Sequence, residues 1–116
     1  MTHEEALAIL DKAEIKPREL KALLSARQEG VVDFVLLDMR IADKHRTSRI
    51  RSTDARVDDM MDIELLGIAT DRPVVIYCQA GFKSKALQKA LKAKGYTRAC
   101  NLAYGILAYQ GELEYD

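Results

Sequence analysis

The sequence predicts an α/β fold built on a mostly parallel sheet. Strand-like and helix-like stretches alternate along the chain, the pattern of such folds. Residues 74–77, Val-Val-Ile-Tyr, form an apolar run without alternation, as in a central strand buried on both faces. A helical pattern with an apolar face resumes soon after it, at Ser84.

Taken in order, Thr2-His3-Glu4-Glu5 reads as a capping box, with Thr2 at the N-cap and Glu5 at N3. The helix it opens carries Ala6, Leu7, Leu10 and Ala13 on one face. Pro17 suits the first turn of a second helix, with Leu20, Leu23 and Leu24 as its apolar stripe and Gly30 as its stop. Residues 31–39 are β-rich, most clearly 34–38. Residues 40–56 hold Arg40, Lys44, Arg46, Arg49, Arg51 and Arg56 without a clear period, and read mostly as loop with at most one helical turn.

Asp58 or Asp59 caps a short helix bearing Met60, Met61, Ile63, Leu65 and Leu66, ended by Gly67. Asp71-Arg72-Pro73 is a turn signal before the central strand. Residues 84–94 form a helix with Ala86, Leu87, Ala90 and Leu91 inward and Gly95 beyond its end. Residues 97–102 return to strand. No repeat or linker divides the chain, so residues 1–116 read as a single domain, with 1–14 as an N-terminal helical extension.

Composition narrows the function. A hydrophobic share of 48% and a charged share of 31% are those of a soluble globular protein. Eighteen basic and 18 acidic residues cancel, which argues against a general nucleic-acid or membrane-surface binder. The two cysteines, Cys78 and Cys100, cannot build a disulfide framework. Glu4 and Glu5 stand where a secretory signal would be basic, so a reducing cytoplasm is the expected compartment. His3 and His45 lie apart from the cysteines without ligand spacing, so no metal and no cofactor are expected.

The chemistry concentrates at Cys78, which ends the central strand. A thiol reacts as its thiolate, and a free cysteine ionises near pH 8.5. Three features favour the anion. The helix that follows points the positive end of its dipole at the loop. Gly81 lets successive N–H groups converge on one point. Lys83 adds a full charge at the rim. The same position also suits a small buried hydrophobe, because cysteine is among the most buried residue types.

Cys78-Gln79-Ala80-Gly81-Phe82-Lys83-Ser84 resembles the active-site loop of rhodanese-like sulfurtransferases, Cys-x-x-Gly-x-(Arg/Lys)-Ser. Leu37-Asp38-Met39-Arg40 resembles the family's Asp-Val-Arg segment. The stretch from Asn101 to Tyr109 resembles its closing Asn-Leu-x-Gly-Gly-Ile-x-Ala-Trp, and the stretch from Ile15 to Leu20 its opening helix. The resemblance covers about residues 15–110. It departs at Arg49-Ile50-Arg51-Ser52-Thr53, where the family carries His-Ile-Pro-Gly-Ala, at Tyr104 for a glycine, and at Tyr109 for the tryptophan.

The resemblance implies about five parallel strands with helices on both faces, and a sulfurtransferase. Cys78 would take a sulfane sulfur from a thiosulfate-like anion and pass it, as a persulfide, to cyanide or to a thiol, including a protein thiol. Gln79, Ala80, Gly81, Phe82, Lys83 and Ser84 would form the persulfide-binding loop, with Arg40, Arg46 and Arg49 as further candidates to attract the anion. Two other readings stay open. One is a non-catalytic binding or regulatory module on the same fold. The other is a phosphatase or arsenate reductase, although that chemistry needs Cys-x5-Arg and here Ser84 stands six positions after Cys78. A dithiol site with Cys100 is a weaker idea, since that residue falls in a predicted core strand.

Overall fold

The computed structural model of the chain describes all 116 residues. Helix α1, His3–Leu10, starts at the expected capping box: the Glu5 N–H donates to the Thr2 side chain and the Thr2 N–H donates to the Glu5 carboxylate. It ends three residues before Ala13, which is exposed, while Ala6 and Leu10 are fully buried. Strand β1, Glu14–Ile15, follows at once. The first fifteen residues therefore supply a covering helix and an edge strand of the sheet.

Helix α2, Pro17–Gln28, leads to β2, Val35–Asp38. Residues 40–56, expected mostly as loop, hold three elements: helix α3, Ala42–Thr47, and strands β3, Arg49–Ile50, and β4, Ala55–Arg56. Helix α4, Met60–Leu65, is capped by Asp59, whose side chain accepts from the Asp62 N–H. Strand β5, Val74–Tyr77, helix α5, Phe82–Ala93, and strand β6, Ala99–Leu102, complete the main body. A 3-10 turn, Ile106–Ala108, and strand β7, Leu113–Glu114, close the chain.

The main sheet is wholly parallel in the order β1-β6-β5-β2-β4. Strand alternation divides its side chains between two cores. Leu36, Val75, Tyr77, Cys100 and Leu102 pack on one face with Leu10, Leu20 and Leu23 of α1 and α2. Val35, Leu37, Val74 and Ile76 pack on the other face with Ile63 of α4 and with Leu87 and Leu91 of α5. Both faces are thus covered by helices, which explains why the central strands carry no polar alternation. Each fully buried aliphatic side chain contributes about 1.5–3 kcal/mol of transfer free energy.

Helix α5 begins two residues earlier than its apolar pattern suggests. Gly81 caps it in the left-handed region, at φ 97°. Its buried face is Ser84, Leu87, Gln88 and Leu91, while Ala86 and Ala90 face solvent. Polar residues occupy that face because each finds a partner: the Gln88 Nε2 donates to the Ala99 carbonyl at 2.9 Å, and Ser84 belongs to the site described next.

Candidate active site

A parallel sheet brings the C-terminal ends of all its strands to one edge, where open α/β folds place their sites. Cys78 leaves the end of β5, the middle strand, and is 4% exposed. The chain then curls through Gly81. A side chain there would press within 3.0 Å of the Tyr104 backbone nitrogen, on a φ that L-residues rarely adopt. The curl turns three donors onto the sulfur. The Gly81 N–H lies 3.2 Å from Cys78 Sγ, the Ser84 N–H 3.4 Å and the Ser84 hydroxyl 3.2 Å.

These contacts decide the ionisation of the thiol. Burial pushes it up, but the hydrogen bonds from the Ser84 hydroxyl and from the N–H groups of Ser84 and Gly81 outweigh burial and hold it below its ordinary value. Cys100 has the opposite environment. It is fully buried, its thiol donates to the Leu10 carbonyl, and burial pushes it up to about 12. Both cysteines are free.

The thiol opens into a cavity of about 270 Å³ walled by Met39, Ile41, Lys44, Phe82 and Lys83, with the loop residues Gln79 and Ala80 beside Cys78. Of the arginines expected near the anion, only Arg40 lines it. Its guanidinium is already engaged: Nε donates to Asp38 Oδ1 at 3.0 Å, and the NH2 group donates to Asp38 Oδ2 at 2.8 Å and to the Ser48 carbonyl at 2.5 Å. Asp38 is fully buried and its Oδ2 also meets the His45 ring at 3.0 Å, so the Arg40 charge is matched locally.

Arg46 and Arg49, the other two candidates to attract the anion, do not line the cavity. Arg46 pairs with Asp43, and Arg49 pairs with Asp116 at 2.8 Å and with Glu114 at 3.4 Å. The unpaired positive charge at the mouth comes from Lys83, expected at the rim, and from Lys44, which the irregular charge run of residues 40–56 gave no means to single out.

Asn101 on β6 is a further member of the site. Its Oδ1 accepts from the Ser84 hydroxyl at 2.5 Å, and its Nδ2 donates to the Gly81 carbonyl at 3.2 Å and to Glu14 at 3.1 Å. One amide thus braces both the glycine that shapes the loop and the serine that meets the sulfur. The signal was present in the sequence: Asn101 is the polar residue of a strand otherwise made of Ala99, Cys100 and Leu102.

The family described as Rhodanese-like domain matches residues 16–112. The chain belongs to the rhodanese-like domain family. A relative named sulfurtransferase, from Allochromatium vinosum, is 33% identical over 86 residues, covering 74% of this chain and 80% of that protein. A tRNA uridine(34) hydroxylase from Pseudarthrobacter chlorophenolicus is 28% identical over 104 residues, and that match takes in 34% of its length. A rhodanese-like domain from Anabaena sp. shares the fold at TM-score 0.75 and 19% identity, over 90% of this chain and 80% of its own. A rhodanese-like domain protein from Staphylococcus aureus does so at 0.73 and 22%, over 90% and 99%.

Within this rhodanese-like domain the atypical segment at 49–53 has a defined place. Strand β3 pairs antiparallel with β7, Arg49 opposite Glu114 and Ile50 opposite Leu113. Ile50 is fully buried, and its N–H donates to the Tyr77 hydroxyl at 3.2 Å. Thr53 meets the same hydroxyl at 2.8 Å. The segment is thereby held behind β5, under the strand that carries Cys78.

Proposed function

We propose that this rhodanese-like domain is a sulfurtransferase with Cys78 as nucleophile and persulfide carrier. The observation that supports it most is the convergence of the Gly81 N–H, the Ser84 N–H and the Ser84 hydroxyl on one sulfur. Preorganised donors of this kind hold an anion without reorganisation, as an oxyanion hole does.

In the first half-reaction the Cys78 thiolate attacks the sulfane sulfur of a thiosulfate-like donor. A bond forms from Cys78 Sγ to that sulfur, the donor's own S–S bond breaks, and sulfite departs with the electron pair. The Cys78 persulfide carries its negative charge on the outer sulfur, within reach of the Gly81–Ser84 turn. In the second half-reaction a cyanide or thiolate acceptor attacks the outer sulfur. The Cys78–sulfur bond breaks and the thiolate returns, so electrons balance with no external oxidant. Lys44 and Lys83 draw the anionic donor to the mouth.

The loop favours a single sulfur over a tetrahedral oxyanion. No arginine fork stands among residues 79–84 to clamp phosphate oxygens, and Arg40 is committed to Asp38. A lone working thiol, with its only fellow cysteine buried, suits a reducing compartment such as the cytoplasm.

Steady-state kinetics with thiosulfate and cyanide test the reading. Parallel double-reciprocal lines and loss of thiocyanate formation in Cys78→Ala are expected. Full turnover in that variant contradicts it.

A further inference from the structure

The chain is neutral as a whole, yet the end of the sheet that holds Cys78 is not. Most carboxylates there are paired with a cation, and Glu14 is the exception, held only by a neutral amide. Glu19 bridges Lys12, Asp43 bridges Arg46, Asp58 bridges Arg56, and Glu14 accepts from Asn101. Lys16, Arg18, Lys21, Lys44 and Lys83 form no salt bridge at all. Two of these flank the cysteine cavity. The other three line a larger groove of about 630 Å³ over the start of α2.

Tyr104 links the groove to the turn that carries Cys78. That side chain is 72% exposed and walls the groove, while its backbone nitrogen abuts the Gly81 turn. Its φ of 63° is one that glycine adopts without strain. A strained, exposed aromatic beside a nucleophile points to a contact made with something else. Phe82 and Ile41, 81% and 60% exposed, extend this apolar rim around the cavity mouth. Cys78 itself is recessed, so whatever meets it must present a narrow tip.

We propose that the sulfur acceptor is a polypeptide cysteine on an acidic, extended segment, seated across this mouth with its acidic residues in the Lys16–Lys21 groove. The proposal rests on the sulfur-transfer reading for its chemistry, though the docking itself does not. The two sites lie two strand positions apart, β5 to β1, which is about 10 Å. An extended chain covers that in about three residues. The acceptor thiolate would then attack the outer sulfur of the Cys78 persulfide, returning Cys78 as thiolate and leaving the persulfide on the partner. Unmatched cations supply the charge complementarity, and the aromatic rim supplies the apolar anchor.

The test separates docking from chemistry. Fluorescent peptides carry a central serine in place of the cysteine, with either glutamates or lysines about three positions away. They are titrated into the unmodified protein at low and physiological salt. The acidic peptide is expected to bind saturably and more weakly as salt rises. The basic peptide, and the acidic peptide on K16E/K21E protein, should bind about tenfold more weakly. Tyr104→Gly, which keeps every charge, should also weaken the acidic peptide. Equal binding of both peptides, or unchanged affinity in K16E/K21E, overturns the proposal. With the cysteine form, sulfur should pass to the acidic peptide in preference, while discharge by cyanide is the same in K16E/K21E as in the parent. A protein that binds the acidic peptide but never loads sulfur upholds the docking surface and refutes the sulfurtransferase reading alone.

Discussion

The Ser84 hydroxyl stands 3.2 Å from Cys78 Sγ, and the same oxygen stands 2.5 Å from Asn101 Oδ1. It has one proton for two acceptors. Asn101 is oriented by its own donations to Glu14 and Gly81, so its oxygen can only accept at this point. When Cys78 ionises, the thiolate must draw the Ser84 proton away from Asn101. Ser84→Ala is therefore expected to raise the pH at which the thiol ionises and to slow iodoacetamide alkylation near pH 7 by about three- to tenfold. Asn101→Leu also removes the brace on Gly81 in both backgrounds, so only the difference counts: its alkylation rate relative to its own background should be higher in the parent, which has a hydroxyl proton to release, than in the Ser84→Ala protein. An equal Asn101 effect in both backgrounds would refute the competition.

The two thiols should separate cleanly by reactivity. Cys78, held low by its donors, should be alkylated in the native protein, with a rate that rises with pH and levels off earlier than for a free cysteine. Cys100, pushed up to about 12 and fully buried, should react only on unfolding. Because the folded Cys78 thiol ionises at lower pH than the unfolded one, its contribution to stability is complete above the unfolded value of about 8.5 and is lost as pH falls through the folded value. Across that window the urea midpoint of the parent should fall, relative to that of Cys78→Ala, as pH is lowered.

Asp38 is expected to matter for stability far more than its surface counterparts. It is fully buried and accepts from the Arg40 backbone and guanidinium and from His45. Asp38→Ala leaves the Arg40 charge buried and unmatched, which costs about 3–5 kcal/mol in urea unfolding. Arg46→Ala removes an exposed pair with Asp43 and should cost under about 1 kcal/mol.

Tyr104→Gly should stabilise the fold. Relief of a left-handed φ gains about 1–2 kcal/mol, and the added freedom of the unfolded chain takes back about 0.4–1. A higher urea midpoint together with weaker peptide docking would place the strain in the service of binding. A lower midpoint would remove that argument.

The sequence made the central architecture legible where local patterns are strong. Residues 74–77 announced a buried strand because both of its faces are covered, and Thr2 and the Asp58-Asp59 pair announced helix starts, the latter realised at Asp59. It was least legible at residues 40–56. Strand β3 there is defined by pairing with β7, whose residues lie more than sixty positions later, and no local period encodes such a partner. The turn itself was legible at Cys78, Gly81 and Ser84, whose spacing brings Gly81 and Ser84 onto the sulfur. A charge pattern does not show which carboxylate each charge will find: Arg49 found Glu114 and Asp116, and Arg40, which does line the cavity, found Asp38. The inward face of α5 misled for a related reason, since Ser84 and Gln88 are buried only because they have partners on β6 and at Cys78.

The most direct test of the central claim is the intact mass of the reduced protein after incubation with thiosulfate. A gain of one sulfur atom is expected, absent in Cys78→Ala and removed by cyanide. A mass that stays unchanged with thiosulfate and with other sulfane donors, or a gain that persists in Cys78→Ala, would contradict it.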